Sequence, residues 1–62
     1  MREFRIDFIK TEIGTPVEDI TRYYDDLKSA VKAAAEGRRD GYRTWLLQYI
    51  IDDKFDIICE LK

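Results

Sequence analysis

The sequence contains no histidine, the residue that most often serves as a general base or a metal ligand near neutral pH. It has one cysteine, Cys59, so no disulfide can form within the chain. Structural zinc sites need several cysteine or histidine ligands, and these are missing. No glycine-rich phosphate loop, Walker lysine or nucleophile elbow is present either. We therefore expect a protein that is not an enzyme and that binds no cofactor and no metal.

The residues that remain for chemistry do not change this expectation. Cys59 is the one conventional nucleophile besides the hydroxyls, and the strand register given below turns it toward the core, where a lone cysteine packs as a small hydrophobe. Asp52, Asp53 and Asp56 form an acidic group near a predicted hairpin. Aspartate is a standard turn residue, however, and the spacing is not that of an EF-hand. A structural role is therefore favoured for all four.

Long apolar runs are also absent, since none approaches the roughly 20 residues of a membrane span. The N-terminus alternates charged with apolar residues, which is not the pattern of a signal peptide. An unpaired cysteine without an export signal favours a cytoplasmic location. The formal net charge of −2 argues against a generic binder of polyanions.

The length of 62 residues predicts one small domain over 1–62. A chain of this size buries only about 60% of the surface that its unfolded form exposes, so its own core provides marginal stability. With disulfides and metals excluded, association with a second copy is the remaining source of stability.

A long amphipathic helix is predicted over 15–37. Its apolar positions are three or four residues apart, which places them on one stripe. These positions are Val17, Ile20, Tyr24, Leu27, Val31 and Ala34. Thr15 as N-cap, Pro16 at the first helical position and Glu18 as the partner in a capping box mark the predicted start. Gly37 marks the predicted end.

Three strands are predicted around this helix. Residues 1–10 alternate strictly, with Phe4, Ile6 and Phe8 on the core side. Strands over 42–51 and 55–61 follow, joined by a three-residue loop over 52–54. This loop would pair Ile51 with Phe55 and place the most apolar residues of both strands on one face. Those residues are Trp45, Leu47, Tyr49, Ile51, Phe55, Ile57, Cys59 and Leu61.

The predicted fold is therefore α+β, with the order β-α-β-β and a three-stranded sheet covered on one face by one long helix. The strand order stays open, because the third strand can lie between the first two, or the first two can be parallel neighbours.

The face of the predicted sheet away from the helix carries four large aliphatic residues. These are Ile9, Leu46, Ile50 and Ile58. A solvated sheet face is normally polar, and an apolar patch of a few hundred Å² usually has a partner. We therefore expect a small interaction or regulatory protein that acts by protein–protein binding through these residues. A homodimer is the commonest form of such an interface, and the sheet edges offer a second route to it.

Nucleic-acid binding is the alternative. Arg38, Arg39, Tyr42 and Arg43 follow the predicted helix, and arginines among aromatic residues are suited to phosphate contact and base stacking. Asp40 interrupts this group, and no RNP motif or helix-turn-helix pattern accompanies it.

Overall fold

The computed structural model describes residues 3–61, and Met1, Arg2 and Lys62 lie outside this range, so the ends of the predicted 1–10 strand and of the predicted 1–62 domain are not covered. Four strands and one helix follow one another along the chain. They are β1 (Phe4–Glu12), β2 (Thr15–Tyr24), α1 (Leu27–Arg39), β3 (Arg43–Tyr49) and β4 (Phe55–Leu61). The strands form one antiparallel sheet in the order β2-β1-β3-β4. The prediction of a three-stranded sheet with one long helix is therefore wrong.

The error lies in the first half of the predicted helix, which is strand β2. Thr15, Val17, Ile20 and Thr21 are β-branched, and two tyrosines end the segment, so its residues favour an extended backbone. β2 pairs with β1 over its whole length, from Glu12 opposite Thr15 to Phe4 opposite Tyr24. The apolar residues of β2 have the same three- and four-residue spacing as those of α1, so the two segments together resemble one long helix.

A tight turn at Ile13 and Gly14 joins β1 to β2. Both residues have positive φ angles, 51° and 78°, which is the requirement of a type I′ hairpin turn. Glycine adopts this conformation without steric cost, whereas a β-branched residue rarely does. Ile13 is fully exposed, so no packing offsets the strain of its backbone.

The ends of α1 are both capped. The Asp26 side chain accepts a hydrogen bond of 2.9 Å from the backbone N–H of Ser29, and this bond lowers the pKa of Asp26. At the other end the N–H of Gly41 donates to the carbonyl of Arg38, and that of Tyr42 donates to the carbonyl of Gly37. This is a Schellman motif in which Gly41, at φ 91°, ends the helix. The predicted end at Gly37 is wrong by two residues.

Gly37 instead provides close packing between the helix and the sheet. It is buried together with Ala30 and Ala34, and these small residues form the side of α1 that meets β1 and β3. A Cβ atom added at Gly37 would overlap the ring of Phe8. The core contains no large helical side chain, and it consists mainly of the sheet residues Phe4, Ile6, Phe8 and Leu46.

The helix covers the opposite face of β3 from the one predicted. Phe4, Ile6 and Phe8 are buried under α1 as expected, and their partners on β3 are Gln48, Leu46 and Thr44. Side chains of directly opposed residues share a face. Trp45, Leu47 and Tyr49 therefore lie on the helix-free face, together with Phe55 and Ile57 of β4.

The predicted register of β3 and β4 is also wrong. Tyr49 pairs with Phe55, whereas the three-residue loop required Ile51 in that place. A β-bulge then leaves Ile58 without a partner between Ile57 and Cys59. This insertion returns Cys59 and Leu61 to the helix side of the sheet, opposite Leu46 and Thr44.

Candidate protein interface

Within residues 3–61, the helix-free face of the sheet carries two arginines, and both are neutralised. Arg5 Nη2 lies 2.8 Å from Asp7 Oδ2, and Arg43 Nε lies 2.8 Å from Glu60 Oε1. The Glu60 carboxylate raises the pKa of Arg43, as expected for a guanidinium that donates to an anion. Because each cation is balanced locally, this face has no net positive field to attract a polyanion.

Aromatic side chains cover one end of the same face. The Phe55 ring lies 5.9 Å from that of Tyr23 and 5.6 Å from that of Tyr49, and the Arg5 guanidinium lies 5.4 Å from its centre. Tyr23 and Phe55 come from the two outer strands, so the rings meet across the whole width of the sheet. Beneath them Leu47 is only 5% exposed. This aromatic cluster acts as a second small core, and part of the helix-free face is thereby covered by its own residues.

Exposed apolar side chains concentrate instead on the side of the molecule where β4 lies. Nine large hydrophobic residues are exposed among those described, and six belong to this side or to the helix flank above it. They are Leu27, Val31, Ile50, Ile51, Ile57 and Ile58. We call these six residues, with the outer edge of β4, the β4 side.

The helix flank belongs to the β4 side because α1 is narrower than the sheet. It packs mainly on the two central strands and contacts β4 only at its margin. Ala35 and Arg38 line a cleft with Leu61 of β4, and Val31 and Leu27 lie one and two turns earlier on the same helical stripe as Ala35. An apolar strip therefore runs from the helix over to the strand edge.

Charge is distributed unevenly along the β4 side. Arg38 and Arg39 border the cleft at the end of β4 marked by Leu61, and neither has an ion-pair partner among residues 3–61. Asp52, Asp53 and Asp56 lie at the other end, in or beside the β3–β4 turn. Lys54 lies beside these aspartates, and Glu60, near the arginines, is paired with Arg43. The β4 side thus has two unpaired arginines at one end and a net negative charge at the other.

The four residues predicted as a protein interface occupy different positions. Leu46 is 4% exposed beneath the helix, so its predicted place on the helix-free face is wrong. Ile9 is on that face and half-buried. Ile50 and Ile58 are 52% and 47% exposed, and both belong to the β4 side. Sequence reasoning missed Leu27 and Val31 because their helical spacing assigned them to the core.

The residues predicted to contact nucleic acid are near one another but do not form a free basic patch. Arg38, Tyr42 and Arg43 line one cleft with Glu60. The Tyr42 ring packs against Phe8 and under the Lys10 ammonium, 4.5 Å from the ring centre. A hydrogen bond to the Glu18 carboxylate raises the pKa of its hydroxyl. Arg43 is paired with Glu60, which leaves Arg38 and Arg39 as the available cations of this group.

Cys59 is exposed, although the predicted register placed it in the core. It does face the helix side of the sheet opposite Leu46, but α1 does not extend far enough to cover it. Across residues 3–61, no group of side chains has the composition of a metal site, and no helix has the length and apolarity needed to cross a membrane.

Comparisons with protein-family models, curated proteins and solved structures gave no match to this chain.

Proposed function

We propose that this chain is a small, non-enzymatic interaction or regulatory protein that acts by protein–protein binding and works as a homodimer. The observation that carries the proposal is the concentration of six exposed aliphatic side chains on the β4 side. Isolated exposed aliphatic residues are normal on a protein surface, but six of them on one side of a small domain indicate a binding surface. The small helix–sheet core favours the same conclusion, since a domain of this size gains stability from association.

A cytoplasmic location is part of this proposal. Cys59 is exposed and has no disulfide partner within the chain, and a thiol in that state is stable in a reducing compartment. Nucleic-acid binding is not proposed as a second function, because Arg43 of the predicted group is paired with Glu60 and Tyr42 is packed against Phe8, which leaves only two available arginines.

The mass of the protein in solution tests the proposal. Light scattering coupled to size exclusion should give twice the chain mass of 7.4 kDa at high concentration. Ile57→Asp should shift the protein toward the monomer, because it introduces a charge into the β4 side. Ile13→Asp is the matched control: the same substitution at a fully exposed isoleucine in the β1–β2 turn, away from the proposed interface.

The control should keep the wild-type mass, and both variants should retain the wild-type circular dichroism. A wild-type chain that remains monomeric up to several hundred micromolar would contradict the proposal.

A further inference from the structure

We infer that the homodimer forms by antiparallel pairing of strand β4 with the same strand of a second copy, which joins the two sheets into one of eight strands. This inference rests on the proposed homodimer and adds the surface and the geometry. Three features carry it: the difference between the two sheet edges, the charge pattern along β4 and the position of the exposed aliphatic residues.

The two outer strands differ in how well their edges are protected. β2 carries Pro16, which has no N–H to donate, and the charged residues Glu18, Asp19 and Arg22. Proline and charge are the features by which proteins prevent edge-to-edge pairing. β4 has no proline. Its charged residues are Asp56 and Glu60, of which Glu60 is paired with Arg43, and Ile57, Ile58 and Cys59 stand exposed at its centre. The less protected edge is therefore that of β4.

The charge pattern selects the relative direction of the two strands. Asp56 lies on the helix side of the sheet, since it pairs with Gln48, which in turn pairs with the buried Phe4. Arg38 and Arg39 lie beside Leu61 at the opposite end of β4. Antiparallel pairing brings the Asp56 end of each β4 beside the end of the other copy that carries these arginines. Glu60, at that same end, lies on the helix-free face and is paired with Arg43. Parallel pairing would instead place like charges together.

The aliphatic residues of the β4 side supply the area that strand pairing alone does not. A seven-residue edge is only about 23 Å long, and a stable interface buries at least about 1,000 Å² in total. Ile57 adds apolar area on the helix-free face of the seam, while Leu27 and Val31 add it on the helix side. A second copy therefore covers both the strand edge and the apolar residues that flank it.

A pair of lysine substitutions at equivalent positions tests the inference. Ile58 and Val17 are each the unpaired residue of a β-bulge, one in β4 and the other in β2, and they are 47% and 54% exposed. Ile58→Lys should weaken dimerisation at least tenfold, because a lysine on the edge opposes strand pairing. Val17→Lys should leave the dissociation constant unchanged. Sedimentation equilibrium measures both constants.

Charge reversal provides a second test that does not depend on the aliphatic residues. The double variant Arg38→Glu and Arg39→Glu should weaken the dimer, and adding Asp56→Lys should restore it by inverting both ends of the interface. Loss of dimerisation without recovery in the triple variant would contradict the antiparallel arrangement.

Cys59 allows the geometry of strand pairing to be tested by cross-linking in the wild-type protein. A short bismaleimide should link two copies through Cys59, because antiparallel pairing near Ile58 brings the two thiols close together. A Cys59→Ser and Thr21→Cys variant, which moves the thiol to β2, should not be linked at the same concentration.

These experiments distinguish a failure of the proposed function from a failure of this inference. A monomeric wild-type protein would overturn both the proposed function and this inference. A dimer that tolerates Ile58→Lys and does not link through Cys59 would overturn the inference alone, and would assign self-association to another surface.

Discussion

Individual residues of this chain hold backbone conformations that their side chains do not favour. Ile13, Asp52 and Asp53 all have positive φ angles between 50° and 60°. Aspartate tolerates this region because its short polar side chain bonds locally, whereas isoleucine has a branched Cβ close to the backbone. The two hairpin turns are therefore unequal: the β3–β4 turn uses suitable residues, and the β1–β2 turn uses one unsuitable residue before Gly14.

Ile13→Asn should stabilise the protein by about 1 kcal/mol, since asparagine is favoured in a type I′ turn and isoleucine is not. No contact is lost, because the Ile13 side chain is fully exposed. Chemical unfolding followed by the fluorescence of Trp45, the single tryptophan, measures the change. Val17→Asn is a comparison, since Val17 is an exposed β-branched residue outside the β4 side with no positive φ; a similar gain there would show that backbone strain at Ile13 is not the cause.

The same residue explains why the first hairpin was not predicted. The usual signal for a two-residue turn is Asn-Gly or Asp-Gly between alternating segments. Here Ile-Gly occupies the turn, and the downstream Thr15, Pro16 and Glu18 satisfy the pattern of a helix start. Two local signals therefore agreed on the wrong structure, while the pairing with β1 that decides between them is not visible in local sequence.

Strands and helices were predicted best where the segment fitted only one sequence pattern. The strict alternation of Phe4, Ile6 and Phe8 correctly placed these residues in the core under the helix. The bounds of β4 were also correct. The face of β3 that lies under the helix was predicted incorrectly. Trp45 and Leu47 are as apolar as Leu46, and the choice between the two faces depends on which one α1 covers. That error moved Leu46 into the predicted interface. Leu27 and Val31 were left out of it for another reason, because their helical spacing assigned them to the core.

The helix meets the sheet through small residues, and this contact should not tolerate even one extra carbon. Gly37→Ala would gain up to about 1 kcal/mol of helix propensity. The new methyl group would overlap the Phe8 ring, and overpacking of this kind costs about 1–3 kcal/mol. We therefore expect a net loss of stability, measured as a lower thermal midpoint by circular dichroism.

Two comparisons separate this steric effect from helix propensity. Lys32→Ala, at an exposed position of the same helix, should have a small effect. Gly37→Ala combined with Phe8→Leu should recover part of the loss, because leucine lacks the ring edge that the methyl group meets. A Gly37→Ala variant more stable than wild type would contradict the close contact.

At the scale of the whole molecule, we expect folding stability to be coupled to dimerisation. The fully buried side chains of the described core are few, and the sheet leaves aliphatic residues uncovered on the β4 side. If the second copy covers them, unfolding also requires dissociation, and the apparent stability depends on protein concentration. A tenfold rise in concentration then adds about 1.4 kcal/mol per dimer at 25 °C.

We therefore expect the urea midpoint of the wild-type protein to rise steadily between low and high micromolar concentrations. The midpoint of Ile58→Lys should be lower and should not change with concentration, because that variant unfolds as a monomer. Val17→Lys should follow the wild type. If the wild-type midpoint is independent of concentration while light scattering detects a dimer, the monomer is stable by itself. The β4 side would then serve association and would not be needed to hold the fold together.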